Sequence, residues 1–239
     1  MTKRFGFTLA EVLITLGIIG VVAAMSIPAL IANTNSAKFK SQFKKSLSSL
    51  NQAALMSQAQ YDFDFAGAGK CTAATDNPAH ATAPKTTICA LLNGTLAGAS
   101  VKLNHTTLKT NKGGNYGVNG SKTEATKLAG ENTFAYTMAD GSLFVFDKDA
   151  ESCTLTPGAV AGTTLNTASS HCKGWIDVNG ATLPNKEVTC DDESAANTTN
   201  TPCAVTKQTS VTDIFPVVIH DSVVEAGSNA AKSILTSAK

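Results

Sequence analysis

Glu11 is the only ionisable side chain between Phe7 and Ala32, in a stretch that is otherwise almost wholly apolar. A lone carboxylate in a segment of membrane length costs about 2.5 kcal/mol or more at the helix centre. A residue held there calls for a partner, and the chemistry open to it is charge pairing. On a helix that begins at Phe7, Glu11 lies on the first turn, where the positive end of the helix dipole favours an anion. The plainer alternative is a solitary anchor whose carboxylate reaches back to the lipid headgroups.

Cysteines form a second set: Cys71, Cys89, Cys153, Cys172, Cys190 and Cys203, all beyond the apolar stretch. An even number in an exported, weakly cored domain points to disulfides, although many connectivities are open. We take the sequence-local pairing: Cys71 with Cys89, Cys153 with Cys172, and Cys190 with Cys203. Each bridge would close a loop of about 15 residues and contribute about 3 kcal/mol. The sharper alternative is a metal held by His171, Cys172, Cys190 and Cys203, but no C-x-x-C pair supports it.

A third set carries oxygens. Asp177-Val178-Asn179-Gly180 runs on to Pro184-Asn185 and, past a cysteine-bracketed insertion, to Asp213-Ile214-Phe215. Asp177, Asn179, Asn185 and Asp213 on a glycine-containing turn are a candidate calcium set, since calcium takes about six to eight oxygens. The site is not an EF-hand, because no glutamate closes a loop begun at Asp177. The competing reading is a tight turn whose side chains bond local backbone amides. Catalytic patterns are missing: His80, His105, His171 and His220 lie in polar surroundings, without a Gly-x-Ser-x-Gly elbow, a His-Glu-x-x-His helix or a phosphate-binding glycine loop. The formal net charge of +1 gives no support for nucleic-acid binding.

These groups need elements to position them. Phe7 to Ala32 exceeds the roughly 20 apolar residues of a spanning helix and the about 7 to 15 of a secretory signal. Gly17, Gly20, Ala23 and Ala24 would let neighbouring helices approach closely, whereas Gly20 and Pro28 weaken the helix. Lys3 and Arg4 precede the segment and Lys38, Lys40, Lys44 and Lys45 follow it, so charge alone does not orient it. Beyond Pro28 the helix turns amphipathic, with Phe39, Phe43, Leu47, Leu50, Ala54 and Leu55 at three- and four-residue spacing. A helix from Phe7 to Gln60 would be roughly 80 Å long. The lysines read as a solvated face, with a headgroup or nucleic-acid patch as the alternative.

From Tyr61 onward small and polar residues dominate and no long helical period returns. This part reads as one loop-rich β domain with a modest core. Thr133–Met138 and Ser142–Phe146 alternate around Ala139-Asp140-Gly141, a hairpin signature. Gly174–Gly180 supplies a third strand. The meander is expected to lie on the helix and bury Phe134, Tyr136, Phe144, Phe146 and Trp175. Asp213–Ile219 is expected at a sheet edge, because Pro216 lacks an amide donor. Thr- and Asn-rich stretches such as Asn197–Thr201 read as surface loops.

The run Gly6-Phe7-Thr8-Leu9-Ala10-Glu11, inside a correctly sized apolar segment, resembles the processing site of type IV prepilins and type II secretion pseudopilins. The resemblance covers Lys3 to Ala32. It implies cleavage after Gly6 by a prepilin peptidase, N-methylation of Phe7, and a role for Glu11 in registering each incoming subunit against the α-amino group of its neighbour. It also implies loss of helical order between Gly20 and Pro28 on assembly. The implied fold is α+β: a ladle with a long helical spine on a small antiparallel sheet, loop-rich and stapled by disulfides. The parts would be a leader (1–6), a membrane and filament-core half-helix (7–32), an amphipathic half-helix (33–60) and a head (61–239). The implied role is structural rather than enzymatic. Its partners would be further copies or sister pilins, the peptidase, an assembly platform and the bacterial cytoplasmic membrane, with the head outside the cytoplasm. The Asp-Val-Asn-Gly…Pro-Asn…Asp-Ile-Phe pattern is similar to one in many pilin-like heads, and major pseudopilins carry calcium in a carboxy-terminal loop. A tip pilin with an adhesive or substrate-binding head, and a simple anchored protein, are the alternatives.

Overall fold

The structure is a computed structural model of the 239-residue chain and describes residues 8–73, 75–79, 85–96, 99–102, 133–155, 172–180, 182, 185–191, 203–207 and 209–236. Its elements are α1 (Leu9–Tyr61), α2 (Ile88–Thr95), β1 (Ala99–Lys102), β2 (Thr133–Thr137), β3 (Leu143–Asp147), β4 (Lys173–Asp177), β5 (Ile214–His220), β6 (Val223–Ala226) and α3 (Asn229–Thr236). The chain divides into two compact units, 1–38 and 39–239.

In the first unit α1 is helical from Leu9 and continues through Pro28. Its best 18-residue window has a mean hydropathy of 2.3 and no buried residue, long and apolar enough to cross a membrane. Leucine, isoleucine and valine side chains from Leu9 to Ile31 all stand exposed. Apolar surface on that scale marks a lipid- or protein-facing segment.

In the second unit the amphipathic half of α1 packs onto the inner face of the sheet. Phe43, Leu47, Leu50 and Ala54 are buried and Phe39 is partly so. Leu55 is 58% exposed, contrary to the expected pattern. At about 100° per residue it points roughly a third of a turn away from the stripe that Phe43, Leu47, Leu50 and Ala54 share.

Among the described residues six strands form one antiparallel sheet in the order β1-β2-β3-β4-β5-β6. The hairpin is present, with Phe134 opposite Phe146 and Tyr136 opposite Phe144. Period-2 alternation sends Phe134, Tyr136, Phe144, Phe146, Ile176 and Phe215 into the core shared with α1. Phe43 stacks on Phe215 with ring centroids 4.3 Å apart.

Two sequence expectations are corrected. Trp175 is buried on the other face, in a second cluster with Ala135, Leu143, Val145 and Ile214. It stands opposite Val145 and Pro216, one residue out of phase with the inward Gly174 and Ile176. Strand β5 is interior, lying between β4 and β6. Pro216 is tolerated because β6 ends at Ala226, just before position 216 would have to donate an N–H to it. Pro216 still accepts from Gly227 N at 2.8 Å, and a short bridge from Glu187 takes over at Ile214.

Two short helices were not expected. Thr87 caps α2, its side chain accepting from Ala90 N, and the helix buries Ile88, Cys89, Ala90, Leu91 and Leu92. Ala231 N donates to Ser228 Oγ at the start of α3, which buries Ala230, Ala231 and Ile234. Disulfides join Cys71 to Cys89, Cys153 to Cys172 and Cys190 to Cys203, with Cα separations of 5.4, 5.6 and 5.3 Å.

Three aspartates fasten the connections. Burial pulls each upward, yet donors outweigh it and leave the carboxyl below its ordinary range. Asp76 accepts from Thr72, Ala73 and Thr87. Asp140 accepts from Ser142 and pairs with Lys45 at 3.2 Å. Asp191 accepts from Thr206 and Lys207 beside the Cys190–Cys203 bridge. A carboxyl whose folded pKa is depressed adds stability that is complete above its unfolded value of about 3.9 and is lost as pH falls through the folded value. The head is therefore expected to melt at a lower temperature at pH 3 than at pH 6, as followed by Trp175 fluorescence. Equal midpoints would refute this.

Candidate functional site

The helix start is built by a reciprocal pair of hydrogen bonds. Thr8 N donates to Glu11 Oε2 at 2.8 Å, and Glu11 N donates to Thr8 Oγ1 at 3.2 Å. This is a capping box, which satisfies amides that the first turn would otherwise leave without partners. The Thr8-x-x-Glu11 spacing carries that signal, and our sequence reading passed over Thr8. Glu11 is thereby fixed on the first turn at an exposed position, its carboxylate available from the side facing away from Thr8.

Gly6 and Phe7 lie outside the described residues, whereas Pro28 stands exposed inside α1. Gly17 and Gly20 are in α1, and a Cβ built on either meets nothing within 4 Å. A clear helix surface at that point admits close approach by another helix. The expected loss of helical order between Gly20 and Pro28 concerns an assembled state, and the helix is unbroken in this chain.

Residues 1–27 match the family model of the prokaryotic N-terminal methylation motif. In this stretch the chain is similar to type IV prepilins and pseudopilins. The matched region is the prepilin and pseudopilin signature, and it ends within the apolar half of α1. No curated protein and no solved structure matches the chain. The pilin-like assignment therefore rests on the amino-terminal motif, joined by an α+β layout of long helix, antiparallel sheet and disulfides. An apolar amino-terminal helix with this motif fits a membrane-anchored, pilus-associated protein.

The oxygen set of the second unit comes together around Asp213. Asn185 N donates to Asp213 Oδ2 at 2.8 Å, Lys186 N to Oδ1 at 2.7 Å, and the Asn179 side chain also bonds this carboxyl. Asp177 Oδ1 accepts from Asn179 N at 3.2 Å. Asp177, Asn185 and Asp213 are fully buried. Burial raises the Asp213 carboxyl above its usual range, against the pull of the amides. Both oxygens of Asp213 already face N–H groups, an arrangement that opposes a cation there. Among the described residues no group of three or more His, Cys, Asp or Glu side chains could hold a metal. The oxygens of the expected calcium set are the carboxylates of Asp177 and Asp213 and the side-chain amides of Asn179 and Asn185.

Gly180 completes the turn. It has φ +68°, and a Cβ there would sit 2.5 Å from Gly141 O in the β2–β3 turn, so two turns nest where only glycine fits. His220 is the one described histidine: Nδ1 lies 3.0 Å from Asp221 Oδ2 and Nε2 3.3 Å from Glu225 Oε1 at the β5–β6 turn. Among the described residues no serine, threonine or cysteine side chain is hydrogen-bonded to it. His80, His105 and His171, and the loop Asn197–Thr201, lie outside the described residues.

Proposed function

We propose that this chain is a structural subunit of a type IV pilus-like filament, inserted in the bacterial cytoplasmic membrane, cut after Gly6 and N-methylated at Phe7. The observation that carries the proposal is Glu11. Inside the matched motif it is the only ionisable group of the apolar stretch, held on the first helical turn with one side open. Removing the leader would free an α-amino group on Phe7. The Glu11 carboxylate of a neighbouring subunit can neutralise it, and in hydrocarbon each charge is costly without the other. Burial of apolar helices against one another would drive association, with Gly17 and Gly20 admitting close packing. Partners in this reading are further copies or sister pilins, the prepilin peptidase and an assembly platform. No cofactor and no catalytic step enters it.

Intact-mass and amino-terminal analysis of protein from native membranes and from sheared surface material tests the proposal. The expected chain begins at N-methyl-Phe7 and is lighter than its reduced form by two hydrogens per bridge. An intact Met1 or an unmodified Phe7 would overturn processing and leave a simple anchored protein. Recovery as a dominant component of sheared filaments identifies a major subunit, whereas trace recovery identifies a tip pilin.

A further inference from the structure

The side chains gathered at Asp213 leave a particular hydrogen-bonding deficit. Asn185 is fully buried, yet neither its Nδ2 nor its Oδ1 has a partner among the described residues. Asn179 Oδ1 is also buried without one. Both residues contact the same carboxylate, Asn185 through its backbone N and Asn179 through its side chain. Flipping the Asn185 amide does not help, since both of its ends are unsatisfied. Lone buried polar groups are rare in folded proteins and commonly mark an internal water.

The deficit at Asn185 combines a donor, Nδ2, with an acceptor, Oδ1, and that combination selects the occupant. A cation could take the oxygens but is repelled by an N–H dipole, and the Asp213 oxygens already receive two backbone amides. Water accepts from an N–H and donates to an oxygen in the same place. We propose that an internal water molecule, bound by the Asn185 side chain, completes the turn around Asp213, and that this clasp needs no metal ion. The clasp ties the exit of β4 to the entry of β5, where Val178 N donates to Asp213 O at 2.9 Å. Asn185 can hold its amide there because asparagine tolerates the φ of +48° at this position.

The test uses the full chain in detergent micelles. Thermal unfolding, read from Trp175, is compared in excess chelator, in millimolar calcium chloride and in millimolar magnesium chloride. Superimposable curves are expected, together with a long-lived water cross-peak to the Asn185 side-chain amide protons in NMR. Asn185→Gly keeps the backbone conformation and removes the amide, and its unfolding curves should likewise superimpose with and without either metal. An upward shift of several degrees with either metal, abolished in Asp213→Asn, would overturn the proposal in favour of a cation site. Absence of the water cross-peak in the unaltered chain would overturn it as well.

Discussion

Glu11→Gln is expected to leave the protein folded, processed and at normal level in the membrane while removing it from sheared filaments. Glutamine retains the bond to Thr8 N, because a capping box accepts Gln as well as Glu. What it loses is charge. If an ionised Glu11 neutralises the α-amino group of a neighbouring Phe7, deleting one partner leaves the other charge alone in an apolar setting. Breaking such a pair costs about 3–5 kcal/mol, which is more than about a hundredfold in association. Thr8→Val makes the opposite change: it removes the Oγ1 acceptor and leaves the carboxylate, at a cost of about 1 kcal/mol in helix capping. Quantitative blotting of sheared and membrane fractions separates the two. Wild-type filament yield in Glu11→Gln would refute the pairing role and leave Glu11 as a helix cap.

Phe43→Ala carries the largest expected loss of stability in the head. Phe43 is completely buried, stacks within 11° of parallel on Phe215, and links the amphipathic half of α1 to the interior strand β5. Removing a buried phenylalanine costs about 3–5 kcal/mol. For a unit of this size that corresponds to a fall in melting temperature on the order of 10 °C. Leu55→Ala is the control: it removes a large apolar side chain from the same helix at a position that is 58% exposed, and its midpoint should hardly move. A Phe43→Ala midpoint equal to that of the control would show that α1 and β5 do not share a core.

Much of the fold was readable because it depends on local patterns. The apolar run and the three- and four-residue spacing after it predict a helix over 7–60, and α1 covers Leu9–Tyr61. Alternation around Asp140-Gly141 gives the β2–β3 hairpin because turn chemistry and periodicity agree there. What went unread depends on neighbours. Helices α2 and α3 are about two turns long, too short for periodicity to distinguish from loop, although Thr87 and Ser228 were available as caps. Trp175 looked like an inward core residue by size, but register decides its face, and register is set by partners distant in sequence. Pro216 argued for an edge by a sound rule that fails because β6 is short. At the helix start, Thr8 was legible through its spacing to Glu11. The Asp213 contacts were not, since they join backbone amides 27 and 28 residues away.

Strand order in the sheet equals strand order along the chain, and every neighbouring pair is antiparallel. A ribosome delivers α1 first, so the apolar stripe from Phe43 to Ala54 exists before any strand that will cover it. Each later strand then finds its pairing edge already made and adds one rung to the growing surface, never waiting for sequence yet to be synthesised. The three cysteine pairs follow the same rule, each closing within 19 residues of chain. Pairing each strand with its predecessor shortens the time for which unpaired strand edges are open to other chains. A head assembled this way can mature progressively, beginning at its spine, while the rest of the polypeptide is still being made.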